Sequence, residues 1–174
     1  MTDHEEPPHA PRTEETEAPG GGGALPGALR VAGLVLSRTP SPPHLACWTG
    51  SRPESTGGGP AAISVVTEPP APPGEATLRL AHDVVDRFDA LVAEARRYCR
   101  TRLGEERFGL TAEEVALLDL PDLPLGGPEA TVWADGSWAV LFTESRFRLG
   151  DPYGILVTFD GTSPVDVEGV GDEE

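Results

Sequence analysis

From Ala76 to Leu103 the chain reads ATLRLAHDVVDRFDALVAEARRYCRTRL. Apolar groups recur there at Ala81, Val84/Val85, Phe88, Leu91/Val92, Ala95, Tyr98/Cys99 and Leu103. Steps of three and four residues trace one face of an α-helix. The other face carries Asp83, Asp86, Arg87, Asp89, Glu94, Arg96, Arg97 and Arg100. Its basic residues gather toward the C-terminal end, where the macrodipole favours cations. A helix of about 27 residues is roughly 40 Å long. An apolar stripe of that length needs a wide surface to cover, and it lies naturally across a small sheet.

Strand-like segments flank the helix on both sides. LRVAGLVLS (from Leu29), LACWTG (from Leu45) and AAISVVTE (from Ala61) are short, apolar and rich in β-branched residues, so they read as three strands of a meander. The run PPAPPGE ends that meander, because proline supplies no ladder donor and does not sit in a helix interior. After the long helix, Leu110-Thr111-Ala112-Glu113-Glu114-Val115 has the form of a capping box with a hydrophobic staple, the start of a short second helix. DLPDLPLGGP then stops it.

The stretch Val132 to Gly161, VWADGSWAVLFTESRFRLGDPYGILVTFDG, holds two of the three tryptophans. Asp135-Gly136 suits the two central positions of a type I′ hairpin turn. That register puts Trp133 opposite Trp138 as a cross-strand aromatic pair, which contributes about 0.2–1 kcal/mol over a pair of alanines. YGILVTFDG alternates Tyr153, Ile155, Val157 and Phe159 on one face, and Asp160-Gly161 turns the chain into a last strand, PVDVEG. The resulting order is β-β-β-α-α-β-β-β-β. It describes an α+β domain in which an antiparallel β-sheet packs against one long amphipathic helix and one short helix.

Residues 1–28 are charged, then Pro- and Gly-rich, with few side chains to bury. They read as a disordered acidic tail ahead of a single domain over 29–171, with 172–174 as a short acidic C-terminal tail. The formal net charge is −16, which works against nucleic acid and anionic membranes and favours a basic partner. The first residues lack the basic and apolar regions of a signal peptide, and no run approaches ~20 apolar residues. A cytoplasmic protein is expected, with Cys47 and Cys99 reduced and buried.

Sequence motifs for catalysis are missing. There is no G-x-S-x-G elbow, P-loop, H-E-x-x-H, C-x-x-C or EF-hand spacing, so no cofactor and no metal site are expected. His4 and His9 lie in the tail, and His82 falls at the edge of the helix's apolar face. The carboxylates Asp135, Glu144, Asp151, Asp160, Asp166 and Glu168 in the β half are the remaining acid–base candidates. Asp135 and Asp160 each precede Gly and Asp151 precedes Pro, positions that turn geometry itself favours.

In order and motifs, the chain from Leu29 to Gly171 resembles a widespread bacterial family of small α+β domains with no assigned reaction. The resemblance rests on GLTAEEV (from Gly109), VWADGSW (from Val132), GDPYGILVTFDG (from Gly150) and VDVEGVG (from Val165). Similar domains occur as candidate immunity proteins beside polymorphic toxins. The resemblance therefore implies a non-enzymatic protein-binding domain, immunity- or inhibitor-like, whose partner is a basic protein or toxin. Trp133, Trp138, Arg146, Asp151 and Tyr153 are the candidate partner-binding residues, since aromatics and Arg dominate interface hot spots. Two alternatives stand beside this reading. One is an enzyme of another type, with Asp135, Asp151 and Asp160 converging in one pocket. The other is an accessory subunit that docks through its acidic tail.

Overall fold

The computed structural model of the chain describes residues 24–53 and 60–171. Most of the expected N-terminal tail and the C-terminal residues 172–174 lie outside the described residues, as do His4 and His9. Strands and helices are mixed as expected: one eight-stranded sheet is combined with three α-helices. The strands are β1 (Ala28–Val31), β2 (Leu34–Thr39), β3 (Ala46–Arg52), β4 (Ala61–Thr67), β5 (Leu125–Trp133), β6 (Trp138–Ser145), β7 (Ile155–Asp160) and β8 (Ser163–Gly169). The helices α1 (Glu75–Asp86), α2 (Phe88–Leu103) and α3 (Ala112–Leu118) all fall between β4 and β5.

Spatial order in the sheet equals sequence order. Every neighbouring pair is antiparallel except β4 and β5, which run parallel with Ile63 beside Ala130 and Val65 beside Val132. A parallel neighbour requires a long crossover, and the three helices supply it. Two four-stranded meanders are thereby joined side by side into one surface. The expected all-antiparallel sheet and its order are corrected at this junction and at the first strand. Leu29 to Ser37 forms two strands, because Ala32 and Gly33 take positive φ (45° and 81°) and close a two-residue turn between Val31 and Leu34.

The long helix is two helices. Arg87, with φ −108° and ψ 11°, leaves the helical region between α1 and α2. The break coincides with a docking point. Arg52 of β3 makes paired hydrogen bonds to Asp89 (3.0 and 2.8 Å) and lies over the Phe88 ring at 5.3 Å. Downstream of this point the coverage changes: α1 packs on β1 and β5, whereas α2 reaches β8. Sheets twist from strand to strand, so two shorter helices follow such a surface where one straight rod would leave it.

Helices cover one face of the sheet. That face buries Leu29 and Leu36, then Trp48 beside Val65, Val65 beside Val132, Val132 beside Trp138, and Trp138 beside Phe159. The helical stripe of Ala81, Val84, Phe88, Leu91, Ala95, Cys99 and Leu103 closes over it in one continuous core. β5 also starts earlier than the sequence suggests, at Leu125. Gly126 lies beside Glu144 and Pro128 beside Phe142 in one unbroken register, and the Thr143 hydroxyl donates to the carbonyl of Gly127 (3.0 Å), so the apparent helix-stopping segment enters the strand. Among the described residues no helix is long and apolar enough to cross a membrane.

Candidate functional site

The hairpin between β5 and β6 decides which aromatic residues a partner can reach. Its loop has three residues, Ala134 to Gly136. The Gly136 N–H donates to the Trp133 carbonyl (3.1 Å), and the Trp133 N–H donates to the Ser137 carbonyl (2.9 Å). Gly136 at φ 89° supplies the left-handed position that completes this turn. The expected two-residue type I′ turn is therefore replaced, and the register moves so that Val132, not Trp133, lies opposite Trp138. Side chains alternate between faces along a strand, so the two tryptophans occupy opposite faces and do not pair.

Trp138 is a core residue, 1% exposed. It stacks on Phe159 with ring centroids 4.0 Å apart and donates its indole N–H to the Gly161 carbonyl (2.8 Å). Trp133 is half-buried on the face opposite the helices. It ends a cross-strand row with Val66 and Cys47. The next row holds small and hydroxyl-bearing groups: Thr49 beside Ser64 (hydroxyl oxygens 2.9 Å apart), then Thr131, Ala139 and Thr158. A third row runs Glu129, Leu141, Leu156, Glu168, with half-buried leucines between exposed carboxylates. Among the described residues no helix covers these three rows.

Arg146, Asp151 and Tyr153 lie in the loop between β6 and β7, all exposed. β6 has eight residues, so roughly 23 Å of strand separates this loop from the Trp133 hairpin. The five candidate residues are thus divided into a hairpin with one core and one surface tryptophan, and a distant loop. The same strand divides the acidic candidates. Asp135 and Asp160 are at one end and Asp151 is at the other, so these three do not converge. Asp135 serves its own turn. Its carboxylate accepts from the Ser137 hydroxyl (2.6 Å) and N–H (2.9 Å), which hold it below the usual range.

One buried acid does more than its capping box requires. Glu114 caps α3 as the sequence predicts: its carboxylate accepts from the Thr111 N–H (2.9 Å), while the Thr111 hydroxyl accepts from the Glu114 N–H (3.2 Å). Glu114 is also 5% exposed and accepts from the Arg148 N–H at 2.7 Å, which fastens α3 to the β6–β7 loop. These backbone donors, Thr111 first and Arg148 second, lower its pKa to about 2. The capping signal was readable in the sequence, but a second partner 34 residues away was not. Cys99 is buried, whereas Cys47 is only half-buried on the uncovered face, which corrects the expectation that both are enclosed. His82 pairs with Asp86 at 3.1 Å on the solvent side of α1. A comparison with protein-family models, curated proteins and solved structures found no match to this chain.

Proposed function

We propose that the chain is a non-enzymatic protein-binding domain, immunity- or inhibitor-like, that presents the helix-free face of its sheet to a basic protein. The observation that carries this reading is the chemistry of that face. Leu141 and Leu156 are flanked in register by Glu129 and Glu168, with Trp133 along the same face. An apolar centre with a charged rim is the usual anatomy of an interface, and a Trp is a frequent anchor. A formal net charge of −16 steers a basic partner toward it. Arg146, Asp151 and Tyr153, on the distant loop, belong to this reading only as a secondary contact.

The test is binding to each protein encoded beside this chain's gene, with Trp133→Ser and Leu141→Lys as probes. Both changes sit on the uncovered face, so the variants should keep the unfolding midpoint to within a few degrees. The expected result is a basic partner whose affinity falls at least tenfold in each variant and weakens with added salt. Equal affinity in both variants, or no basic partner among those proteins, defeats the proposal.

A further inference from the structure

On the helix side of the molecule, Arg96 and Arg100 stand one turn apart on α2 and face the segment that leads into β5. Arg96 Nη2 donates to the Leu125 carbonyl (3.1 Å) and Arg100 Nη2 to the Pro121 carbonyl (3.0 Å). Between helix and segment is a cleft of about 740 Å³, lined by Arg96, Arg97, Arg100, Asp122, Leu123 and Leu125. That size falls within the range of small-molecule sites, roughly 300–1,000 Å³. A guanidinium carries five N–H donors, and each of these two has a single protein acceptor among the described residues. The Nε of Arg96 is buried with no acceptor. Arg97 is occupied by Glu94, but neither Arg96 nor Arg100 is ion-paired among the described residues.

This pattern is unexpected in a chain with 29 acidic residues and 13 basic ones. Abundant carboxylates would readily neutralise two neighbouring cations, yet both line one concavity; the Arg96 guanidinium also lies over the buried Phe142 ring at 5.6 Å with its Nε enclosed, so its Nη groups and the Arg100 guanidinium are the donors left for a ligand. We propose that this cleft binds the phosphate group of a small molecule. Planar guanidinium forks match phosphate oxygens two at a time, and a dianion balances two arginines. Ala93, Leu123 and Leu125 give the organic remainder an apolar wall. Asp122 also lines the cleft and opposes an anion, and that opposition gives the proposal a signature of its own.

Titration calorimetry on the full chain, at constant ionic strength, tests it with inorganic phosphate and ribose 5-phosphate as probes. The expected result is saturable binding at millimolar concentration or tighter. Arg100→Gln should weaken it at least tenfold, and Asp122→Asn should tighten it severalfold by removing the like charge. A tighter sugar phosphate identifies the ligand as an ester, and equal affinities identify free phosphate. No saturation by tens of millimolar with either probe overturns the proposal, as does undiminished binding in Arg100→Gln. If Arg100→Gln does not fold, the exposed Asp122 decides alone, and unchanged affinity in Asp122→Asn is then the overturning result.

Discussion

Ala32 holds a left-handed conformation, φ 45°, in the β1–β2 turn, where a Cβ is crowded by the neighbouring carbonyl. Ala32→Gly should relieve that crowding and stabilise the protein by about 1 kcal/mol, raising the unfolding midpoint by about 2–4 °C. An unchanged or lower midpoint by calorimetry would count against the turn as described. The two turns together show how much a residue pair reveals. Asp135-Gly136 matches the favoured type I′ pair, yet closes a three-residue loop, while Ala32-Gly33 lacks Asn or Asp and closes a two-residue one. Turn composition left the loop length open by one residue, and one residue moves Trp133 to the other face. The alternation in the two arms carried the missing information. Ala130 and Val132 on β5 share the core face with Trp138, Val140 and Phe142 on β6. The cysteines give a second check at this scale. Burial pushes the Cys99 thiol up to about 12, so it presents no thiolate near neutral pH. A thiol reagent at pH 8 should modify one cysteine, Cys47, in the folded protein and both after unfolding. Rapid labelling of Cys99 in the native state would contradict its place in the core.

At the scale of elements, the amphipathic stripe from Ala81 to Leu103 placed the helical layer correctly, since its apolar members are the ones buried. The break at Arg87 was not legible, because no Pro or Gly marks it and the apolar spacing continues through it. It coincides with the Arg52 contact to Phe88 and Asp89, which a local pattern cannot contain. The Glu114 link is similar in kind: half of it is a local capping box and half depends on where the β6–β7 loop returns. It makes a pH prediction. A carboxylate titrating at about 2 in the fold and at its ordinary 4.5 in the unfolded chain contributes about 3 kcal/mol at neutral pH. With the folded value depressed, this contribution is complete above pH 4.5 and is lost as pH falls through 2. Most of it belongs to buried backbone donors, because the Arg148 side chain is 71% exposed and its ion pair is screened. Glu114→Gln should therefore cost about 2–3 kcal/mol at pH 7, and variant and parent should converge near pH 2. Urea titrations at both pH values measure the two differences. Equal gaps at pH 7 and pH 2 would remove the charge from the account.

For the whole molecule, the decisive junction is the parallel pairing of β4 with β5. Each meander alone has four strands and a single apolar face. Together they form one eight-stranded surface under a shared helical cover, with α1 touching both β1 and β5. The core is continuous across the junction, through Trp48, Val65, Val132 and Trp138. A shared core ties the stability of one half to the other, so the domain should unfold in a single cooperative step. The tryptophans supply a reporter for each half: Trp48 is 0% exposed in the first meander and Trp138 is 1% exposed in the second. Two single-tryptophan chains test this, one retaining Trp48 with Trp133→Phe and Trp138→Phe, the other retaining Trp138 with Trp48→Phe and Trp133→Phe. Loss of a buried tryptophan lowers stability, so each chain's fluorescence midpoint in urea is compared with its own far-ultraviolet dichroism. Coincidence of the two probes within each chain is the expected outcome, because neither tryptophan can leave the core while the other meander keeps its cover. A fluorescence transition that precedes the loss of secondary structure in either chain would mean that the meanders come apart at β4–β5. The sheet would then be two units in contact, and the uncovered face assembled from both would no longer be a stable surface on which to seat a partner.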